Sequence, residues 1–508
     1  MIDPQRPDLT VGVLGAGTMG RGIAQVAASA GMQVRFFDTD TAQLNKAVEF
    51  ISGMMNRAVE KGRMSAEDAK ATIDRIKTVD SLKGFGDCHL VVEAIIENLD
   101  IKKKVFAELD EIVAKDGILA TNTSSLSVTA IASGTKNQER VAGLHFFNPP
   151  PLMKLVEVIG GLRTSPEAVA ALMAIGTRMG KHTVACQDTP GFLVNHAGRA
   201  YGPESLRIIG EGICQFVDID RVMKDSAGFR MGPFELLDLV GIDIAHSVME
   251  EIYHQYYQEP MYKPSVIGQQ RKDGGLHGRK TGAGFYTYED GKPVVPEETP
   301  APKAGKATVW VSPANADGQK LVAKLLKDAG AELDTAKKPG PDSICVVTPI
   351  GMDASTSAVA QGLDPVRTVA VDPLFGGAGR ITIMTTPITD AKHRDAIHGL
   401  LAKSGTPVTA INDSPGFIAQ RIVALIVNVS CNIAQQRVAS PEDIDTAVKL
   451  GLNYPKGPLE FGDALGADKI LQILRALYDF YGDPRYRPSA WLIRRATLGV
   501  SLLTPENR

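Results

Sequence analysis

The chain has 508 residues, which is too long for one ordinary domain and predicts three to five structural units. Hydrophobic residues make up 44% and charged residues 22%, an ordinary composition for a folded globular protein. The 55 Lys and Arg residues nearly balance the 58 Asp and Glu residues, for a net charge of −3. This balance argues against a basic nucleic-acid binder and against an acidic disordered tail.

Signals for targeting and for metal binding are missing from the sequence. The N-terminal stretch lacks the charged and apolar regions of a signal peptide, and no apolar run reaches the ~20 residues that a membrane span needs. The five cysteines are scattered and form no CxxC pair, so we expect neither a disulfide framework nor a metal site. These features predict a cytoplasmic enzyme with no membrane or nucleic-acid partner.

Strand and helix signals alternate before Asp188. The predicted elements are a strand at Thr10–Leu14, a helix at Met19–Ala30, a strand at Gln33–Asp38, a long helix ending at Lys61, a strand at Leu90–Glu93, a helix at Leu99–Val113 and a strand at Ile118–Thr121. This alternation predicts a parallel, doubly wound sheet. Asp188 and Thr189 precede Pro190 and predict a helix start, and the chain from there to about Met261 has helical periodicity.

A glycine-rich turn follows the first strand and opens the first helix. Its residues are Gly15, Gly17, Thr18, Met19 and Gly20. The three glycines of such a GxGxxG turn permit a tight bend, the approach of a pyrophosphate to the backbone and close helix–strand packing. Asp38 ends the next strand, where a carboxylate accepts hydrogen bonds from ribose hydroxyls and repels a 2′-phosphate, so we predict NAD rather than NADP. The alternatives are a plain glycine-rich turn, and an Asp38 that caps the helix starting near Thr41.

An internal duplication divides the chain. The run Asp188–Phe192 recurs at Asp413–Phe417, and the same offset of 225 residues relates Gly232–Glu235 to Gly457–Glu460. Two helical modules are therefore expected, each preceded by an α/β segment. The predicted domains are an NAD-binding domain at 1–188, a helical domain at 189–288, a Pro-rich linker at 289–305, a degenerate α/β domain at 306–412 and a second helical domain at 413–508.

Several motifs resemble those of L-3-hydroxyacyl-CoA dehydrogenases. They are Asn122–Leu126, Gly143–Pro149, Lys154–Val158, Asp188–Asn195 and Arg279–Tyr286. The resemblance runs from residue 10 to residue 288 and implies an N-terminal Rossmann-type sheet followed by a helical domain. The two-copy layout further resembles long bacterial members associated with phenylacetate degradation, which implies 3-hydroxyadipyl-CoA or 3-hydroxybutyryl-CoA as the substrate.

His145 and Glu157 are the candidate catalytic pair. Oxidation of a secondary alcohol needs a base for the hydroxyl proton, and histidine titrates near neutral pH. The two residues lie on short apolar runs joined by three prolines, so a hairpin-like return can bring the carboxylate to one ring nitrogen. The resemblance implies that His145 is the general base and Glu157 its partner. The alternatives are a core histidine, a surface position for Glu157, and His196 as the base.

The resemblance also implies contacts to the cofactor and the substrate. The implied NAD contacts are Glu97, Lys102, Ser124, Asn148 and Lys280. The implied substrate contacts are Ser124 and Asn195 at the reacting oxygen and Lys61 at the CoA moiety. Met54 stands where a serine usually accompanies that lysine, so Lys61 is equally well interpreted as a surface charge. Surface charge is also the alternative for the three charged NAD contacts, and a turn residue is the alternative for Ser124.

The second α/β segment lacks these features and has no GxGxxG turn. Its residues at the matched positions are Thr382 for Glu157, Gln420 for Asn195, Val369 for His145 and Asp372 for Asn148. We therefore expect this segment to be inactive and structural. Single-copy members of the family pair through their helical modules, so an intrachain pseudo-dimer of the two helical modules is expected, with a homodimer of whole chains left open.

These features favour an NAD-dependent dehydrogenase of (3S)-3-hydroxyacyl-CoA thioesters. A non-catalytic scaffold that binds NAD or CoA would be expected to lose His145 or Glu157. A short 3-hydroxyacid dehydrogenase would need a lysine base, and none follows the first Asp-Thr-Pro-Gly-Phe motif before Lys224. A bifunctional hydratase would need a new catalytic domain in the second half. Arg199 or Arg207 could meet the far carboxylate of a dicarboxylyl-CoA, unless both are surface residues.

Overall fold

The computed structural model describes residues 2–377 and 379–506, and its contacts separate into two compact units. The first unit runs through His196 and also includes Gln436–Leu452, a segment of the second copy. The second unit comprises Ala197–Gln435 and the chain from Asn453 onward. This division places the second α/β segment together with most of both helical modules.

An eight-stranded sheet forms the centre of the first unit. Its strands are β1 (Thr10–Leu14), β2 (Gln33–Phe37), β3 (Ile76–Thr78), β4 (Leu90–Glu93), β5 (Ile118–Thr121), β6 (Val141–Phe146), β7 (Leu155–Gly160) and β8 (His182–Gln187). Their spatial order is β3-β2-β1-β4-β5-β6-β7-β8, and only the β6–β7 pair is antiparallel. Val11 and Leu14 belong to different core clusters, so apolar residues are buried on both faces of the sheet, as in a doubly wound fold.

Helices connect these strands and begin at capping residues that the sequence carries. They are α1 (Thr18–Ser29), α2 (Thr41–Glu60), α3 (Ala66–Asp74), α4 (Leu99–Ile112), α5 (Val128–Ala132), α6 (Pro166–Arg178) and α7 (Val194–Ala197). The side chains of Asp40, Ser65, Asn98 and Ser165 accept hydrogen bonds from the first turns of α2, α3, α4 and α6. The predicted alternation of strands and helices is confirmed.

The second unit opens with the first helical module. Its helices are α8 (Tyr201–Gly210), α9 (Phe216–Asp225), α10 (Pro233–Val240), α11 (Ile242–Gln255) and α12 (Val266–Asp273). A short antiparallel hairpin follows, formed by β9 (Thr287–Glu289) and β10 (Lys292–Val294). The predicted linker therefore begins within a hairpin. Asp290 and Gly291 form its turn, and both have the positive φ angles that a tight hairpin turn requires.

A smaller sheet forms the second α/β segment. Its elements are β11 (Thr308–Val311), α13 (Ala316–Asp328), β12 (Glu332–Asp334), β13 (Ile344–Val347), α14 (Ala354–Ala360), β14 (Thr368–Val371), β15 (Ile381–Thr385), α15 (Ala391–Ala402) and β16 (Val408–Ile411). The order of the six strands is β12-β11-β13-β14-β15-β16, with only β14 and β15 antiparallel. This sheet repeats the antiparallel step of the first sheet with two fewer strands.

The second helical module completes the chain. Its helices are α16 (Ala419–Gln435), α17 (Pro441–Leu452), α18 (Pro458–Leu465), α19 (Ala467–Tyr481) and α20 (Ala490–Leu498). Of these, α17 belongs to the first unit, where it packs beside β7 and β8. Among the described residues, no helix combines the length and the apolar character needed to cross a bilayer.

Candidate active site

The glycine-rich turn has the geometry that its three glycines predict. Gly15 has a φ of +103°, and a β-carbon there would lie 2.5 Å from the carbonyl oxygen of Ala94. A β-carbon on Gly20 would overlap the carbonyl oxygen of Gly15. At Gly17, by contrast, no described atom lies within 4 Å of a β-carbon position, so the backbone faces open space. This open backbone at the start of α1 suits an approaching pyrophosphate, and Thr18 and Met19 form its first turn.

Asp38 lies beside this turn. It follows β2, and its carboxylate accepts a hydrogen bond of 2.6 Å from the N–H of Ala16. The cap of α2 is Asp40, which accepts from the N–H groups of Ala42 and Gln43, so the interpretation of Asp38 as the helix cap is wrong. The half-buried Asp38 carboxylate is placed where the ribose hydroxyls of a dinucleotide would donate to it, and the turn and this acid together fit NAD.

A buried ion cluster follows β4. The Lys102 ammonium is 1% exposed and lies 2.6 Å from Glu93 and 3.2 Å from Glu97. Glu97 also accepts hydrogen bonds from the Thr123 hydroxyl and from the Ser124 N–H. Burial acts to raise the pKa of Glu97, but Lys102 and these donors outweigh burial and hold its pKa below the ordinary value. The alternative of a solvated surface charge is therefore wrong for Lys102.

His145 and Glu157 meet across the β6–β7 pair. The antiparallel register places them directly opposite each other, which confirms the predicted hairpin-like return. His145 Nδ1 lies 2.6 Å from Glu157 Oε2, and both side chains are buried. The surface alternative for Glu157 is therefore wrong. Because a carboxylate accepts, Nδ1 carries the hydrogen, and the Nε2 lone pair is left to act as a base.

Glu157 is held from its other side by backbone amides. Its Oε1 accepts hydrogen bonds from the N–H groups of Val194, at 2.8 Å, and Leu193, at 3.2 Å. Gly191 and Phe192 have positive φ angles, and this bend turns the following amides toward the carboxylate. The Phe192 ring also lies 6.0 Å from the His145 ring. Three hydrogen bonds thus fix the carboxylate next to the imidazole.

Asp188, at the start of the same motif, anchors a different helix from the one predicted. Its carboxylate accepts from the N–H groups of Val128 and Thr129, at 3.0 and 2.7 Å, and from the Ser127 hydroxyl. It therefore stabilises the N-terminus of α5, and the predicted helix start at Pro190 is wrong. The sequence does not reveal this contact because its partner lies about sixty residues earlier in the chain.

The other predicted site residues are distributed over both units. Ser124 and Asn148 follow β5 and β6, and Asn148 is exposed. Asn195 lies in α7. The neighbouring His196 is fully buried, which disfavours His196 as the base. The exposed Lys61 is the C-terminal cap of α2. In the second unit, the Lys280 ammonium donates to Asp243 at 2.7 Å.

Sequence reasoning did not identify the groups that hold the predicted residues. These are the amides of Leu193 and Val194, the carboxylate of Glu93 and the hydroxyl of Thr123. A buried Glu93 at the end of an apolar strand is a signal that could have been noticed, because an unpaired carboxylate is costly to bury. Backbone amides carry no such signal.

The second copy has a different pair at the corresponding place. Asp372 N–H donates to the carbonyl oxygen of Thr382, so Asp372 follows β14 at the position that His145 has on β6. The predicted match of Val369 with His145 is therefore wrong. Asp372 accepts a hydrogen bond from Gln420 at 2.8 Å, and burial raises the pKa of its carboxyl. The second copy therefore has no histidine–carboxylate pair at this place.

Two family models match the chain. The model described as "3-hydroxyacyl-CoA dehydrogenase, NAD binding domain" matches residues 10–189. The model described as "3-hydroxyacyl-CoA dehydrogenase, C-terminal domain" matches residues 191–288 and again residues 416–501. The double match confirms the duplicated helical module.

Similar proteins divide into two-copy and single-copy forms. The 3-hydroxyadipyl-CoA dehydrogenase of Escherichia coli (strain K12) is 38% identical over 490 residues, covering 96% of this chain and 98% of that protein. The crystal structure of 3-hydroxybutyryl-CoA dehydrogenase from Escherichia coli K12 has a TM-score of 0.84 at 36% identity, covering 97% of this chain and 98% of that one. Mitochondrial hydroxyacyl-coenzyme A dehydrogenase of Sus scrofa is 42% identical over 287 residues, covering 55% of this chain and 91% of that protein.

Proposed function

The chain belongs to the 3-hydroxyacyl-CoA dehydrogenase family and is an NAD-dependent dehydrogenase, and we propose that His145 is its general base and Glu157 the partner of that base. The reaction is the reversible oxidation of the 3-hydroxyl of an (S)-3-hydroxyacyl-CoA to the 3-oxoacyl-CoA. The observation that carries the proposal is the contact of 2.6 Å between His145 Nδ1 and Glu157 Oε2.

His145 and Glu157 act together on the hydroxyl proton. NAD, when bound, accepts the hydride from C3. His145 Nε2 takes the hydroxyl proton as that hydride leaves, and the imidazole becomes an imidazolium. The Glu157 carboxylate stabilises the imidazolium and keeps the ring in one orientation, while the Val194 amide keeps the carboxylate in place. In the reverse direction His145 returns the proton to the oxygen.

The remaining site residues are assigned to binding. The residues that would hold NAD are Gly15, Gly17, Thr18, Met19, Gly20, Asp38, Glu97, Lys102, Ser124, Asn148 and Lys280. Ser124 and Asn195 would donate hydrogen bonds to the reacting oxygen, where negative charge develops as the proton departs. Lys61 would contact the CoA phosphates, as a cation on an exposed helix end is able to do.

The substrate proposed first is 3-hydroxyadipyl-CoA, with 3-hydroxybutyryl-CoA second, in phenylacetate degradation within the cytoplasm. Arg207 pairs with Asp483 at 2.6 Å and with Glu211 at 3.1 Å, which favours a structural role for it. Arg199 is the other candidate for the far carboxylate of a dicarboxylyl chain. Burial lowers the pKa of its guanidinium to about 10, so it stays charged at neutral pH.

We propose further that the two helical modules form an intrachain pseudo-dimer. Reciprocal contacts support this arrangement: Gln187 N–H donates to Val438 O within the first unit, and Asn412 N–H donates to Ile213 O within the second, both at 2.9 Å. Gln187 and Asn412 are matched by the offset of 225 residues, and so are Ile213 and Val438. The fully buried Arg421 of α16 also pairs with Glu204 of α8 at 2.5 Å.

The experiment is reduced-nicotinamide absorbance with (S)-3-hydroxyadipyl-CoA and (S)-3-hydroxybutyryl-CoA, each with NAD and with NADP. Turnover with NAD, abolished by His145→Ala, is the expected result, and the ratio between the thioesters identifies the preferred acyl chain. Clear NAD binding without turnover of either thioester would reject these substrates and favour a non-catalytic scaffold.

A further inference from the structure

A helix of the inactive copy packs against the strands that carry the candidate active site. Within the first unit, α17 lies beside β7 and β8, and β7 carries Glu157. The carbonyl oxygen of Val438, just before α17, accepts a hydrogen bond of 2.9 Å from Gln187 N–H at the end of β8. The second copy therefore contributes a helix to the first unit, next to the strand that carries Glu157.

Gly451, near the C-terminal end of α17, lies close to this region. A β-carbon on Gly451 would lie 3.0 Å from Val194 Cγ1 and 3.1 Å from Leu155 Cδ2. These separations are shorter than ordinary van der Waals contact. Glycine is less favourable than alanine inside a helix, so the close approach is the physical reason for a glycine here. The residue 225 positions earlier is Ser226, whose hydroxyl donates to the carbonyl oxygen of Arg380, the residue matched to Leu155.

Both neighbours of Gly451 are connected to Glu157. Leu155 lies two residues before Glu157 on β7, so the two side chains share one face of the strand. Val194 donates its N–H to Glu157 Oε1 at 2.8 Å. Valine is stiff about χ1, and Val194 is buried in a densely packed interior, so pressure on its methyl groups is passed to its backbone.

We propose that Gly451 is a positioning residue for the reaction. The absence of a side chain at Gly451 lets Val194 keep its N–H on Glu157, and Glu157 in turn orients His145. The inactive copy thereby supports the active site of the first copy through α17, in addition to any role in pairing the helical modules. This inference rests on the proposed roles of His145 and Glu157.

The test is a double-mutant cycle on the full chain, with kcat and KM measured for (S)-3-hydroxybutyryl-CoA and NAD. We expect Gly451→Ala to lower kcat about 10-fold with little change in KM for NAD, because a small displacement of a catalytic group is costly. Glu157→Gln should lower kcat about 10²-fold. In the Glu157→Gln background, Gly451→Ala should cost less than about 2-fold, because the orientation that it disturbs is already lost.

Two further variants separate positioning from a general loss of packing. Val194→Ala removes the methyl groups that the new β-carbon would meet, so the loss caused by Gly451→Ala should largely disappear in a Val194→Ala background. Gly53→Ala is the matched control, since a β-carbon there has no described neighbour within 4 Å and Gly53 also lies in a helix of the first unit. This control should keep the kcat of the parent chain.

Three results would overturn the inference. Equal losses from Gly451→Ala with and without Glu157→Gln would show that Gly451 acts elsewhere, and the proposed function would stand. A Gly451→Ala loss that persists unchanged in the Val194→Ala background would reject the contact with Val194. Full activity of Glu157→Gln would reject the proposed role of Glu157 and, with it, the inference.

Discussion

The two α/β segments share the antiparallel step of their sheets and a loop whose aspartate holds the start of a helix. In the first segment, Asp188 accepts hydrogen bonds from the first amides of α5. In the second, Asp413 accepts in the same way from the N–H groups of Ala354 and Ser355, at 2.7 and 3.1 Å. The matched motif therefore has a structural task that both copies retain, which is why the duplication is visible in the sequence.

The chemistry of the two segments differs at only a few side chains. His145 faces Glu157 in the first, while Asp372 and Thr382 occupy the matched places in the second. The turn after β11 corresponds to the open glycine turn of the first copy. In it, the Ser312 hydroxyl donates a hydrogen bond to the side-chain oxygen of Gln361. The comparison teaches that both copies retain the loop motif with the fold, while the side chains of the proposed active site can change without loss of the fold.

Substitution of the proposed base should break this comparison most strongly. We expect His145→Gln to lower kcat about 10³-fold while NAD binding persists, because only proton transfer is removed. Asp372→Asn is the matched control in the second copy and should leave kcat within about twofold, since it lies outside the reacting groups. Steady-state kinetics and NAD titration provide the measurements. A comparable loss from Asp372→Asn would contradict the assignment of activity to the first copy.

The next largest effect is expected between the helical modules. Arg421 and Glu204 are both fully buried. Arg421→Met leaves the Glu204 carboxylate with only the Tyr486 hydroxyl and the more distant Arg485 as partners, and should lower the free energy of unfolding by about 3–5 kcal/mol. Arg487→Met, which removes an exposed pair with Glu259, should cost less than about 1 kcal/mol. Urea unfolding measures both variants. Equal destabilisation by the two would contradict a buried connection between the copies.

Cofactor choice should change less than turnover. Asp38→Asn removes the charge that we propose accepts ribose hydroxyls and repels a 2′-phosphate, so the ratio of kcat/KM for NAD over NADP should fall about 10-fold. Asp334 ends β12 of the second sheet, where it accepts from the Gly340 N–H and the Ser343 hydroxyl. Asp334→Asn should leave the ratio unchanged. An unaltered ratio in Asp38→Asn would show that the cofactor is selected elsewhere.

The smallest effect concerns the pH dependence of stability. Burial raises the pKa of Asp220 to about 7 from 3.8, although it accepts hydrogen bonds from Phe234 N–H and the Tyr286 hydroxyl. The folded state therefore holds this proton more tightly than the unfolded state, and stability is lost as pH rises from about 4 to about 7. Between pH 5 and pH 7 this decline amounts to about 2–3 kcal/mol, at 1.36 kcal/mol per unit of pKa, and Asp220→Asn should remove it. Tyr286→Phe should steepen it, and urea unfolding at pH 5 and pH 7 distinguishes the two signs.

Much of the fold could be predicted because its signals are local. Apolar runs and glycine spacing predict the strand that ends at Leu14 and the helix that follows it, and both are confirmed. The resemblance to the family is confirmed by the two family models. The match of Val369 with His145 is wrong because a sequence offset does not contain the register of an antiparallel pair. The residue opposite Thr382 is Asp372, three positions further along the strand than predicted.

The sequence predicts which side chains form the candidate site, but the groups that hold those side chains in place lie far away in the sequence. The sequence by itself determined the glycine turn, the acid after β2, the His–Glu pair and the duplication, because each is a pattern of side chains along a local run. Only the tertiary structure decided that the amides of Leu193 and Val194 hold Glu157, that Lys102 is buried between two acids, and that α17 packs beside β7. Contacts of this kind join backbone groups and distant segments, and they form only when packing has brought those segments together.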